Sequence, residues 1–154
     1  MQSKDNTITQ AVILAGGRGE RLKPFTLEHP KPLFPVQGKP FLLYLIEQCR
    51  AFGMTEVLLL LGYLADQIVE LLGDGSAFGL RVRYDITPPE YDTADRLSHA
   101  GKLLAPDFLM MYCDNYCPID FERLKTDYFN NQASVQLSVY TNKDGYTRNN
   151  LRFF

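Results

Sequence analysis

The sequence predicts an α/β fold built on a mostly parallel sheet. Three observations predict it. Ala11-Val12-Ile13-Leu14 and Val57-Leu58-Leu59-Leu60-Leu61 are unbroken apolar runs, as expected of strands buried on both faces of a parallel sheet. Segments with helical spacing of apolar residues separate the strand-like runs, the pattern of repeated strand–helix units. The first run empties into a glycine-rich turn, Gly16-Gly17-Arg18-Gly19, and such sheets bind ligands beyond the carboxyl ends of their strands.

Along the chain, residues 1–9 form a polar lead-in and 10–14 the first strand, followed by a long loop to Gly38. Pro40 suits the first turn of a helix that runs to Phe52. Phe41, Leu42, Leu45, Ile46, Cys49 and Phe52 share one of its faces, and Gly53 supplies a stop. Residues 56–61 form a strand, and 64–72 a helix closed by Gly73. Alternation over 81–86 predicts a third strand, and Pro88-Pro89 then breaks the chain. A helix is expected over 93–104, a fourth strand over 108–112, a helix over 120–130 and a fifth strand over 134–140. No segment repeats another.

With 154 residues, 45% of them hydrophobic, the chain is long enough to bury one sizeable core as a single domain. A net charge of −2 gives no reason to expect nucleic acid or an anionic membrane as partner. The charge is uneven, however. Between residues 18 and 39 lie five basic side chains (Arg18, Arg21, Lys23, Lys31, Lys39) against two acidic ones, Glu20 and Glu28. A basic loop on a mildly acidic chain suits a small anion. The N-terminus carries no apolar signal core, no run is long enough to span a bilayer, and the three cysteines are an odd set. These features predict a cytoplasmic protein with reduced thiols. Cys113 and Cys117 are rejected as zinc ligands because neither histidine lies near them.

The glycine loop lacks the third glycine of a dinucleotide fingerprint, and Gly38-Lys39 precedes Pro40 rather than the Ser or Thr of a P-loop. Read from the residues alone, it is either an ordinary glycine turn with surface arginines or a cradle for phosphate. Lys31, between Pro30 and Pro32, is either solvated or aimed by its restricted backbone. Asp114 is either a turn or helix cap or a metal ligand, and Asp92 or Thr93 can cap the helix that follows.

The stretch Ala15-Gly16-Gly17-Arg18-Gly19-Glu20-Arg21-Leu22-Lys23-Pro24-Phe25-Thr26, followed by Pro30-Lys31-Pro32-Leu33-Phe34-Pro35-Val36 and Gly38-Lys39-Pro40, resembles the opening of the sugar-1-phosphate nucleotidyltransferases. The resemblance implies a Rossmann-like three-layer αβα sandwich. It also implies a reaction in which a nucleoside triphosphate and a sugar-1-phosphate give a nucleotide-sugar and pyrophosphate. Leu14, Ala15, Gly16, Gly17, Arg18 and Gly19 then belong to the nucleotide-binding stretch, with Arg21 on the triphosphate and Lys31 at the reaction centre. Thr93 and Ala94 match a loop that lies beside base and sugar, although Asp92 and Asp95 stand where relatives carry glycine. Asp114 matches a Mg²⁺-binding aspartate, with Cys113 in place of the usual preceding glycine.

The resemblance further implies that residues 10–154 are the N-terminal, nucleotide-binding portion of such a domain, without its C-terminal sugar-binding part. The Lys39-Pro40-Phe41-Leu42 start and the Gly62-Tyr63 step resemble guanylyltransferases for mannose- or heptose-1-phosphate, favouring GTP. A homo-oligomer is compatible with this reading. The alternative is a non-catalytic nucleotide-binding or interaction domain on the same fold. A dinucleotide-dependent dehydrogenase is opposed by the missing glycine.

Overall fold

The structure, a computed structural model, describes residues 6–139 and 141–145. The chain divides into two compact units, residues 1–118 and 119–154.

The first unit contains a parallel sheet of β1 (Gln10–Ala15), β4 (Glu56–Leu61), β5 (Arg81–Ile86) and β6 (Leu109–Tyr112) in the order β5-β4-β1-β6. β1 and β4 are central, and their apolar runs are almost wholly buried, as unbroken hydrophobic strands predict. The register places Ile13 beside Leu59 and Met111, and Leu14 beside Leu60 and Tyr112. Successive side chains therefore serve opposite layers. On one face Val12, Leu14, Leu58 and Leu60 form a cluster with Ala100, against which Leu97, Leu103, Leu104 and Phe108 pack. These residues come from α3 (Thr93–His99) and the turns after it. On the other face the Cys49 thiol of α1 (Phe41–Ala51) lies 3.7 Å from the Met111 sulfur. The Tyr84 hydroxyl donates to the Gly73 carbonyl at the end of α2 (Ala65–Leu72), at 2.5 Å. Helices on both faces of a parallel sheet make the expected three-layer sandwich.

The predicted loop from residue 16 to 38 is more ordered than expected. It contains three single-turn 3₁₀ helices, at Glu20–Leu22, Phe25–Leu27 and Lys31–Leu33. It ends in a small hairpin of β2 (Pro35–Val36) and β3 (Lys39–Pro40). The two hairpin-turn residues, Gln37 and Gly38, both have positive φ, at 51° and 79°, as a two-residue turn matched to strand twist requires. Pro40 thus closes the hairpin and caps α1 instead of lying inside the helix. The helix predicted over 93–104 ends at His99 and continues as a 3₁₀ turn, Ala100–Lys102.

In the second unit α4 (Phe121–Asn130) begins at Asp120, whose carboxylate accepts the Arg123 N–H at 3.0 Å. The fifth strand predicted over 134–140 does not form within 134–139, and Tyr140 lies outside the described residues. Val135 and Leu137 are exposed. An alternating segment becomes a strand only when a neighbour completes its ladder, and none does among the described residues.

Candidate active site

The carboxyl ends of β1, β4, β5 and β6 converge on one edge, and the sequence-predicted residues gather there. Leu14 and Ala15 are the last residues of β1, their side chains buried. The Leu14 carbonyl accepts the Cys113 N–H at 3.1 Å, so the β1 and β6 exits are stitched together.

The loop glycines separate by what surrounds them. A Cβ on Gly17 would meet nothing within 4 Å, and Gly17 is exposed. It is the open position. Gly19 has a φ of +63°, and a Cβ there would lie 2.8 Å from the Lys31 Cβ. Both its conformation and the close approach of Lys31 require glycine. A Cβ on Gly16 would sit 2.2 Å from the Arg96 guanidinium. Gly16 is therefore small because a buried arginine packs on it, not because its backbone is left-handed.

The loop is tied down from several sides. Buried Thr26 donates its hydroxyl to the Gly19 carbonyl at 3.1 Å. Tyr63, after β4, donates its hydroxyl to the Thr26 carbonyl at 3.0 Å. Gln67 of α2 donates to the Glu28 carbonyl at 2.7 Å and bonds the His29 ring at 3.0 Å. Tyr63 and His29 thus help hold the loop in shape.

Three cations sit on this scaffold in different states. Arg18 pairs with Glu90 at 2.7 Å and lies 5.5 Å from the centre of the Tyr63 ring. The hydrogen bond to Glu90 raises the Arg18 pKa, and the same bond lowers that of Glu90. Arg21 is exposed on the first 3₁₀ turn and makes no salt bridge with a described residue. Lys31 meets Asp114, 83 residues away, with Nζ 2.5 Å from Oδ2. The two side chains are 32% and 45% exposed, so this centre is open to an incoming ligand.

Thr93 and Ala94 open α3. Asp92 accepts the Asp95 N–H at 2.9 Å while Asp95 accepts the Asp92 N–H at 3.2 Å, a reciprocal capping box. The two aspartates that stand in place of glycine therefore build the helix start. Arg96, two residues after Ala94 in α3, is buried beneath the loop.

Asp114, 45% exposed and paired with Lys31, is a carboxylate that could hold a metal ion. No group of three or more His, Cys, Asp or Glu that could hold a metal occurs among the described residues. A single exposed carboxylate fits a cation carried in largely by substrate phosphates, the usual Mg²⁺ arrangement, and not an all-protein cage. Neighbouring Cys113 has its thiol pushed up to about 11, first by burial and then by the Asp114 charge, which keeps it neutral at neutral pH.

The profile of the family described as nucleotidyl transferase matches residues 10–148. The chain is 40% identical over 114 residues to N-acetylmuramate alpha-1-phosphate uridylyltransferase of Neisseria meningitidis, covering 73% of this chain and 49% of that protein. It is 32% identical over 130 residues to D-glycero-alpha-D-manno-heptose 1-phosphate guanylyltransferase of Campylobacter jejuni, covering 84% and 57%. Among solved structures, HddC from Yersinia pseudotuberculosis complexed with GMP-PN superposes with a TM-score of 0.70 at 31% identity, covering 80% of this chain and 55% of that one. The chain spans about half the length of these relatives.

Proposed function

The chain belongs to the nucleotidyl transferase family, and we propose that it binds a nucleoside triphosphate over the glycine loop as the nucleotide half of a sugar-1-phosphate nucleotidyltransferase. The observation that carries the reading is the meeting of Lys31 and Asp114 at 2.5 Å, with Lys31 packed against Gly19 of the glycine loop. The resemblance gives both residues a part in the reaction, and they meet from segments 83 residues apart.

In the proposed reaction an oxygen of the sugar-1-phosphate attacks the α-phosphorus. The bond from that phosphorus to the bridging oxygen breaks, and pyrophosphate leaves. The attacking oxygen is already anionic, so no strong base is required. What remains is positioning and charge neutralisation. Arg21 is assigned to the triphosphate, where its fork suits phosphate oxygens. Lys31 is assigned to the charge that builds at the α-phosphate. Leu14, Ala15, Gly16, Gly17, Arg18 and Gly19 line the nucleotide through their backbone, with Thr93 and Ala94 toward base and sugar. Mg²⁺, held by Asp114 and the substrate's phosphates, supplies further neutralisation when bound. GTP is the first nucleotide to try, on the residues after Lys39 and at Gly62-Tyr63. The two relatives above are a uridylyltransferase and a guanylyltransferase, so UTP belongs in the same comparison. No helix among the described residues is long and apolar enough to cross a membrane, and a cytoplasmic setting is part of the proposal.

Calorimetry with GTP, UTP, dTTP, CTP and ATP in Mg²⁺, on the wild type and on Arg21→Ala, tests the binding. Binding of one nucleotide that weakens roughly tenfold or more in Arg21→Ala is expected, from the loss of a charge-assisted contact. Absence of binding to all five overturns the reading. Pyrophosphate release on adding sugar-1-phosphates separates a catalyst from a nucleotide-binding domain.

A further inference from the structure

Arg96 is a buried charge that the proposed chemistry does not use. It is 4% exposed, and its partners are oxygen atoms at three strand ends. Nη1 donates to the Leu61 carbonyl at 2.6 Å and to the Thr87 hydroxyl at 2.5 Å. Nη2 donates to the Gly16 carbonyl at 3.3 Å and to the Pro88 carbonyl at 3.0 Å. Gly16 follows β1, Leu61 ends β4, and Thr87 and Pro88 follow β5. No carboxylate is among these four partners. Burial lowers the Arg96 pKa, with Asp85 and then Glu90 opposing that from further away, and an arginine stays charged regardless. A buried cation held by carbonyls is a poor device for stability alone, since an apolar side chain would fill the space without desolvating a charge.

The geometry of the Gly16 carbonyl gives the charge a purpose. That oxygen accepts two donors, Arg96 Nη2 and the Tyr63 N–H at 3.1 Å, which use both its lone pairs. The peptide joining Gly16 and Gly17 is trans, so the Gly17 N–H points opposite to the Gly16 carbonyl. Drawing the oxygen inward therefore turns that N–H toward the exposed side, where Gly17 has open space. Two glycines make the seat. A Cβ on Gly16 would overlap the guanidinium at 2.2 Å, and one on Gly62 would lie 2.6 Å from the Gly16 carbonyl oxygen and 3.0 Å from Nη2.

We propose that Arg96 is a positioning residue for polyphosphate: it fixes the Gly16 carbonyl inward so that the Gly17 N–H is presented outward as an anion donor, with the guanidinium charge as the floor of the loop. The inference rests on the reading of this loop as a triphosphate site, and it names the residue that sets the loop's donor geometry.

The test uses inorganic tripolyphosphate, which has no base, and the ¹⁵N-labelled full chain. In the wild type the Gly17 amide resonance is expected to move more than those of the other loop residues as tripolyphosphate saturates. Arg96→Ala is expected to bind tripolyphosphate roughly tenfold or more weakly. Millimolar guanidinium should restore part of that affinity, while Arg96→Lys, with no fork to span the carbonyls, should not match the wild type. An Arg96→Ala protein that melts lower yet binds as well as wild type would show a purely structural role and overturn the proposal. If Arg96→Ala fails to fold, the wild-type Gly17 resonance decides: no movement at saturation, or no binding, overturns it. Binding of tripolyphosphate with the Gly17 response, but of no nucleoside triphosphate, would leave the Arg96 inference standing and remove the nucleotide reading.

Discussion

Replacing Asp114 by Asn should change phosphate affinity in opposite directions with and without Mg²⁺. The reason lies in the Lys31–Asp114 pair, whose charged atoms are 2.5 Å apart. At the dielectric constant of water two unit charges at that separation attract by about 1.7 kcal/mol. Both side chains are roughly a third or more exposed, and holding them together costs side-chain entropy. The net worth of the pair to the fold is then about 0.5–1 kcal/mol. A double-mutant cycle of Lys31→Ala and Asp114→Asn, read by thermal melting, should return a coupling of that size. Neither single variant should melt more than about 2–4 °C lower, the shift that 1 kcal/mol produces in a chain of this length. So small a bond is easily exchanged. In EDTA, Asp114→Asn frees Lys31 and removes a negative charge, so tripolyphosphate should bind at least as tightly as to wild type. In Mg²⁺ the same variant lacks the carboxylate proposed for the metal and should bind roughly tenfold or more weakly. Lys31→Ala should weaken binding under both conditions. A coupling above about 2 kcal/mol would mark the pair as a structural bond. Equal weakening by Asp114→Asn in EDTA and in Mg²⁺ would remove the metal from the argument.

Two further outcomes can be checked on the protein alone. Gly62→Ala keeps an accessible backbone but drives a Cβ to 2.6 Å from the Gly16 oxygen, which should cost about 1–3 kcal/mol. Gly17→Ala meets nothing within 4 Å and should stay within about 0.5 kcal/mol of wild type. Melting curves that fail to separate the two would refute the division of roles among the glycines. The second concerns thiols. Burial pushes Cys49 up to about 12 and Cys113 up to about 11. A raised thiol pKa keeps the neutral form until the pH climbs toward that value, leaving about one thiolate in a thousand at Cys113 at pH 8. Iodoacetamide at pH 8 should therefore spare both in the folded protein and label them once denaturant is added. Rapid labelling of folded Cys113 would contradict the raised pKa of this half-buried thiol beside Asp114.

The architecture was legible where local pattern and tertiary demand agree. The β1 and β4 runs have no polar residue between Ala11 and Leu14 or between Val57 and Leu61, and only a strand covered on both faces tolerates that. Helix α1 was legible from the spacing of Leu42, Leu45, Ile46 and Cys49, all of which are buried. The hairpin over residues 35–40 was missed because two-residue strands carry no period to detect; its one clue is Gln37-Gly38 in the turn. The strand expected over 134–140 fails within the described residues 134–139 for the opposite reason, since its alternation is real and a strand depends on a neighbour that alternation does not provide.

The site shows the same limit at finer grain. Lys31 and Asp114 were legible singly, through motif and strand end, but their pairing spans 83 residues and no local pattern encodes it. No local pattern marks Arg96, because a charged residue on a helix ordinarily faces solvent. What the sequence does record is the consequence of its burial: glycines at 16 and 62, neither with a left-handed backbone, where a Cβ would crowd the guanidinium. Of the glycines in the loop and at the end of β4, Gly19 answers to φ, Gly17 borders open space, and Gly16 and Gly62 answer to a side chain 80 and 34 residues downstream. A glycine-rich motif is thus a composite of separate steric demands. A relative with a small residue at the position of Arg96 would be free of the demand on Gly62 that comes from the guanidinium, while the one from the Gly16 carbonyl would persist.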